Sequence, residues 1–222
     1  MKKNQQMIHT GGVKEIDGPL TLISESIPNI RVKGKLFLND DKIDKLTLIG
    51  DLTYDDTKIE NAKIIGQVIG MNGYFYKLDL IGSMITTKTR IIDADIKGKL
   101  VSKNMSVISE INIVDGPIKL VDCKINKLIT NSRKIDIIDS DIGSVHIISS
   151  LDDFNLEPFK IFISGKSNIT EIMAIGTNII VKTIGSDVKI LRTVNTEVKI
   201  QRIEKPNYTK VVAHEYNSET MN

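Results

Sequence analysis

From Ile16 to Leu100 apolar and polar residues alternate with a period of two, and the alternation is itself repeated. Glycines stand at Gly18, Gly34, Gly50, Gly66, Gly82 and Gly98, sixteen residues apart, in a chain that has only 15 glycines. Two residues before each stands Ile16, Val32, Leu48, Ile64, Leu80 or Ile96, and two after it Leu20, Leu36, Leu52, Val68, Met84 or Leu100. A third apolar column falls nine residues after each glycine, at Ile27, Ile43, Ile59, Phe75, Ile91 and Val107. A fourth, twelve after, runs from Ile30 to Ala94 and breaks at Glu110. Polar segments such as NDDK, DDTK and KNMS separate the second column from the third, and their composition is that of turns.

A period of two is strand periodicity, and no stripe of helical spacing competes with it. Sixteen residues are too few for the helix pairs of other repeat proteins. The pattern therefore predicts an all-β fold, a single-stranded parallel β-helix (β-solenoid), in which each unit makes one coil and like residues stack in ladders. Six coils at the usual strand spacing would extend roughly 29 Å. The recurring glycine, flanked by inward aliphatics, marks a bend where a Cβ would strike the opposite wall or where the backbone needs dihedrals that other residues avoid.

The register slips by two at VDGPIKLVDCKINKLI, which carries Gly116, and the alternation in SRKIDIIDSDIGSVHII makes an eighth coil. SSLDDFNLEPFK then interrupts the pattern. Beyond it, shorter units start at Gly165, Gly176, Gly185 and Asn195, nine to eleven residues apart. They are either further solenoid walls or an antiparallel meander that caps the end. The chain thus divides into a polar N-terminal tail over 1–13, a solenoid over 14–150, a junction loop over 151–160, short strands over 161–204 and a polar C-terminal tail over 205–222.

Composition adds mainly exclusions. Trp is absent and aromatics make up 5%, so the core is one of stacked aliphatics. Thirty basic residues against 28 acidic ones leave a net charge of +2, which points to no nucleic-acid partner and to no acidic membrane surface. The start of the chain lacks an apolar run of secretory length, and no stretch is long and apolar enough to span a membrane, so a cytoplasmic location is expected. Cys123, the lone cysteine, permits a reducing compartment and reads as a buried or turn thiol.

Candidate chemistry is sparse. Asp55 with Asp56, Asp93 with Asp95, Asp139 with Asp141 and Asp152 with Asp153 are carboxylate pairs of the kind a glycosidase or lyase uses. Asp93 and Asp95 flank inward-pointing Ala94 and so point outward, and aromatic platforms for sugars are missing. His9, His146 and His214 lie far apart, no ligand-type spacing exists, and IGQVIGMNG lacks the ending of a phosphate loop. No catalytic, metal or cofactor site is expected. Along the turn edge the charge changes sign, from Asp40, Asp41, Asp55 and Asp56 through Asn72 to Lys88, Arg90 and Lys103, a gradient that could favour association between copies.

The IxGxL units, with KIENAKIIGQVIG and RIIDADIKGKLVSKNMSV, resemble bactofilins, the bacterial polymer-forming cytoskeletal proteins, over roughly Gly18 to Ile125. The region from Gly165 has no counterpart in that pattern. The resemblance implies a compact, right-handed β-helical core between short tails, polymerising end to end without a nucleotide. On that expectation the partner is a second copy of the chain. The joints would be the end coils, around Leu20, Leu22 and Ile27 at one end and Val198 and Ile200 at the other. The alternative is a monomeric or small-oligomer solenoid, an adhesin- or effector-like module holding another protein on its wall; a carbohydrate-active enzyme is the third.

Overall fold

The computed structural model describes residues 8–10, 13–148, 157–175, 177–194, 198–203 and 212–215, and over these the chain is all β. Four consecutive strands show the construction: β4 (Ser26–Asn39), β5 (Lys42–Asp55), β6 (Lys58–Met71) and β7 (Tyr74–Thr87), each of 14 residues. Only a two-residue polar corner separates one from the next, so every strand with its corner is one coil. Neighbouring coils pair in parallel and in register, Ile43 with Ile59, Leu48 with Ile64 and Leu52 with Val68, and the apolar columns stack as their spacing predicts. The protein is a β-solenoid of about 11 turns.

Within a coil the chain bends at three places. In β5, Asp44 and Lys45 both face outward between buried Ile43 and buried Leu46, which interrupts the alternation and turns the wall. Alternation then runs unbroken through Gly50 to Tyr54, with the second bend at the glycine. The third is the polar corner, where Ser24, Asp40, Asp56, Asn72, Lys88 and Asn104 take left-handed backbone angles with φ between 46° and 56°. Asn and Asp tolerate that conformation better than other residues with a Cβ, which accounts for four of the six.

The glycine bend has a sharper physical cause. The repeat glycines have φ from 105° at Gly18 to 145° at Gly66, a region open to glycine and closed to L side chains. A Cβ on Gly50, Gly66, Gly82 or Gly98 would come within 1.9 Å of the carbonyl oxygen of the glycine one coil earlier. The obstacle is thus the adjacent coil's backbone, not the opposite wall that the sequence suggests. Gly18, first in the ladder, meets nothing within 4 Å.

The last residue of the polar corner points inward and builds a second, polar ladder. The Ser106, Ser140 and Ser167 hydroxyls accept hydrogen bonds from the backbone N–H of Thr89, Cys123 and Ser140, one coil earlier, at 3.0–3.2 Å. Each also donates to a backbone carbonyl of its own corner. Otherwise unpaired backbone groups at the corners are thereby satisfied inside the core. Asp41 occupies this inward position, 3% exposed, and accepts from the backbone N–H of Glu25 and Asn39. It therefore leaves the outward turn edge on which the sequence places it.

One aromatic side chain crosses the aliphatic core. Tyr54 extends over the next coil, where a Cβ on Gly70 would come within 2.6 Å of its ring and one on Gly73 within 2.4 Å. Its hydroxyl reaches Thr86 at 2.5 Å and Thr89 at 2.9 Å, and its ring meets Phe75 edge-on at 5.2 Å. The two extra glycines of IGMNG are therefore room for a ring, which explains why they depart from the repeat.

The slip in register enters at two points along β8 (Arg90–Val114) and its successor β9 (Ile118–Thr130). Leu100 pairs with Ile118, eighteen residues on, whereas past an irregularity between Lys103 and Ser106 the offset is seventeen, as in Ile108 with Ile125. Asn104 and Met105 both take positive φ there. The extra residue rotates Val107 out to 40% exposure and brings Ile108 into the core in its place, so the third column passes to Ile108 and not Val107.

The solenoid continues through β10 (Lys134–Ile138), β11 (Asp141–Ile148), β12 (Phe159–Ser164), β13 (Asn168–Ile175), β14 (Ile179–Ile184), β15 (Asp187–Val194) and β16 (Val198–Ile203). β12 pairs in parallel with β14 and β14 with β16, Ile161 to Val181 to Ile200. Between them β13 pairs in parallel with β15, Ile169 to Val188. The short units after the junction are therefore walls taken two to a coil, not an antiparallel cap. Residues 151–156 of the junction, Gly176 and Asn195 lie outside the described residues.

Both expected tails contribute strands. β1 (Ile8–Thr10) pairs antiparallel with β2 (Val13–Asp17), Ile8 with Glu15, while β2 joins β4 in parallel. β17 (Val212–Glu215) pairs in parallel with β15, Leu191 with Ala213.

Two outcomes follow. Gly66→Ala combines backbone strain, of order 1–3 kcal/mol, with a collision into the neighbouring coil, whereas Gly18→Ala incurs the strain alone. Denaturant unfolding should show the larger loss at Gly66. Tyr54 gives a pH effect: burial pushes its phenol up to about 12, against the opposing pull of its Thr86 and Thr89 hydrogen bonds. The unfolded phenol ionises near its ordinary value while the native one does not, so this contribution is complete below about pH 10 and lost as pH rises towards about 12. Over that window the stability difference between wild type and Tyr54→Phe should shrink by up to about 2–3 kcal/mol, read as the gap between their denaturation midpoints.

Candidate functional site

The surfaces of a solenoid are its two ends and its walls, and the structure distributes the expected residues between them. β3 (Leu20–Ile23) belongs to the first coils and pairs in parallel with β4, Leu20 to Leu36 and Leu22 to Leu38. Leu20 and Ile27 are buried, at 7% and 3% exposure, and Leu22 packs partly buried against the core. Ile23, which the sequence reading passed over, is the exposed apolar residue there, at 65%. On the neighbouring wall β1 covers the outer edge of β2.

At the other end Val198 pairs with Ile179 and Ile200 with Val181. Among the described residues no further strand stacks on β16, which pairs with β14, or on β17, which pairs with β15. Ile200 is 38% exposed and stands at a recess with Val181, Val188 and Leu191.

The wall before the glycine bend carries a feature of its own. The residue preceding each repeat glycine is Asp17, Lys33, Ile49, Ile65, Ile81 or Lys97, and these are register partners from coil to coil. The three isoleucines face outward at 51%, 51% and 54% exposure. The signal was present in the sequence as an apolar residue at the outward phase of three successive units. The inward columns on either side of it carry the same residue types and mask it.

Among the carboxylate pairs, Asp93 and Asp95 face outward around buried Ala94. Asp55 accepts from the Asn72 side chain at 3.0 Å and Asp139 from the backbone N–H of Lys166 at 2.8 Å, so both are tied into corners. Asp152 and Asp153 lie outside the described residues. His146 is a half-buried outward residue of β11, between inward Val145 and Ile147. No group of three potential metal ligands occurs among the described residues.

Cys123 takes the place of serine in the polar ladder. Its backbone N–H donates to Ser140 Oγ at 3.0 Å, and its thiol donates to the Val121 carbonyl at 3.3 Å. Burial pushes the thiol above its usual range, with the Ser102 hydroxyl pulling the other way. A thiol so placed is structural, since the reactive species is the thiolate.

Comparison with protein-family models, with curated proteins and with solved structures gave no match for this chain. No helix among the described residues is long and apolar enough to cross a membrane.

Cys123 should resist a thiol-alkylating reagent in the native protein and react fully once the chain is unfolded. Mass spectrometry before and after denaturation checks this, and rapid native labelling would contradict the packing described.

Proposed function

We propose that this protein is a non-enzymatic structural scaffold of bactofilin type, a β-solenoid that assembles end to end with copies of itself in the cytoplasm. The observation that carries the reading is the recess at the C-terminal end of the described solenoid. There β16 and β17 are the last described strands of their walls, and Ile200, Val181, Val188 and Leu191 border a mainly apolar recess whose polar lining is Thr183, Ser186 and Arg202. A parallel strand edge beside partly exposed Ile200 favours addition of another coil, whose backbone groups and aliphatic columns continue both ladders. β3, with exposed Ile23 beside partly buried Leu22, supports a complementary surface at the opposite end. The balanced charge leaves such stacking to backbone pairing and aliphatic burial.

A second reading is a monomeric or small-oligomer solenoid that binds another protein on its wall. The exposed isoleucine ladder and the antiparallel β1 on the N-terminal edge favour it.

The test is negative-stain microscopy with light scattering over a range of concentration and salt, on the untagged protein and on Leu22→Lys and Ile200→Lys. Filaments in the wild type that shorten or vanish in either variant, with unchanged circular dichroism, support the scaffold. Discrete particles of constant mass at every concentration overturn it.

A further inference from the structure

The wall that bears the isoleucine ladder is self-complementary. Three outward columns run along it: Lys33, Ile49, Ile65, Ile81 and Lys97; Arg31, Thr47, Lys63, Asp79 and Asp95; and Asn29, Lys45, Asn61, Lys77 and Asp93. From the coil of Arg31 and Lys33 to that of Asp93, Asp95 and Lys97 the net charge of these columns falls from positive through neutral to negative, and the first coil sets Glu15 and Asp17 beside Arg31 and Lys33. Three half-exposed isoleucines on successive strands make an apolar strip about 10 Å long, larger than the single exposed apolar residues that need no explanation.

We propose that a second copy of this chain docks on this wall in antiparallel orientation, about a two-fold axis lying between the Ile65 and Ile81 rungs. That operation sets each column against itself with the coils reversed. Ile65 then lies over the partner copy's Ile81 rung, Lys63 over its Asp79 rung and Lys45 over its Asp93 rung, each contact occurring twice. Ile49 meets the Lys97 rung, whose aliphatic stem can cover it while the ammonium reaches water. Thr47 meets the Asp95 rung and Asn61 the Lys77 rung, so no like charges oppose each other along these columns. A parallel pairing would instead set Lys63 on Lys63 and Asp79 on Asp79, which is repulsive. Within one chain Lys63 already lies 3.9 Å from Asp79, so the docked copies would close a four-membered charge network around the apolar strip.

This contact is lateral and does not depend on end-to-end stacking. The two are separable because Leu22 and Ile200 lie on the ends and Ile65 on a wall. The test is sedimentation velocity of the full chain over a range of concentration, in an end-blocked Ile200→Lys background so that axial assembly does not obscure the dimer. A concentration-dependent dimer is expected. Ile65→Asp should abolish it, and Lys45→Asp should raise its dissociation constant by about tenfold or more. The double variant Lys45→Asp with Asp93→Lys should return the constant to within about threefold of the starting value. These two residues sit three coils apart in one chain, about 14 Å, so rescue cannot arise within the monomer. Circular dichroism confirms that each variant is folded. A monomer at every concentration, or a dimer insensitive to Ile65→Asp, overturns the proposal, as does a charge exchange that fails to rescue. A monomer that instead floats with anionic phospholipid vesicles in an Ile65-dependent way assigns the strip to a lipid surface and also overturns it.

Discussion

Everything in this solenoid depends on how closely one coil can lie on the next at the repeat glycine. There the backbone turns with φ near 140°, and the position of a missing Cβ falls within 1.9 Å of the previous coil's carbonyl oxygen. A side chain at that level would wedge the coils apart locally. Because the strands run on continuously through the bend, the disturbance would spread to the hydrogen-bonded ladders on both adjoining walls. The glycines thus permit a bend and set a spacing together. That is why they recur at one level of the coil while the neighbouring aliphatics vary among Ile, Leu, Val and Met.

The other corner solves a different problem. A sharp turn leaves backbone N–H groups without strand partners, and in a solenoid some of these face the interior, where water does not reach. Small inward hydroxyls answer this by accepting from the coil before and donating to their own corner. Cys123 belongs to this series, which gives the lone cysteine a structural explanation. Asp41 and Gly73 show how the position adapts: a carboxylate caps two N–H groups in one coil, and in another the side chain is dispensed with to admit the Tyr54 ring. The Tyr54 hydroxyl then ends on Thr86 and Thr89, the latter a member of the same ladder, so the aromatic and polar features of the core meet at one place.

Function in such a molecule rests on what its uniform walls and unlike ends leave uncovered. The ends differ: β1 runs antiparallel along one N-terminal edge, while a mainly apolar recess stands beside Ile200 at the other end. The walls differ as well: among the described residues only the outward column before the glycine carries three successive isoleucines. Axial and lateral contacts between copies would use these separate surfaces, and a scaffold could then grow in length and in width by independent interactions.

The amino-acid sequence alone determined the fold class, the coil length and the inward columns, because a sixteen-residue repeat of period-two alternation has few other ways to bury its aliphatics. It also marked Asp93 and Asp95 as outward, since their phase relative to Ala94 is local. Tertiary structure decided what depends on contacts between coils. The glycine's obstacle proved to be a carbonyl sixteen residues away in sequence, and Tyr54 meets its partners 32 and 35 residues on. The exchange of Val107 for Ile108 follows from an extra residue at Asn104 and Met105, whose effect appears only when the next coil sets the register. The last strands show the same limit: their spacing of nine to eleven residues suits a meander as well as a two-walled coil, and only pairing across coils separates the two. Local pattern specifies which residues face inward, and the choice of neighbour belongs to the assembled ladder.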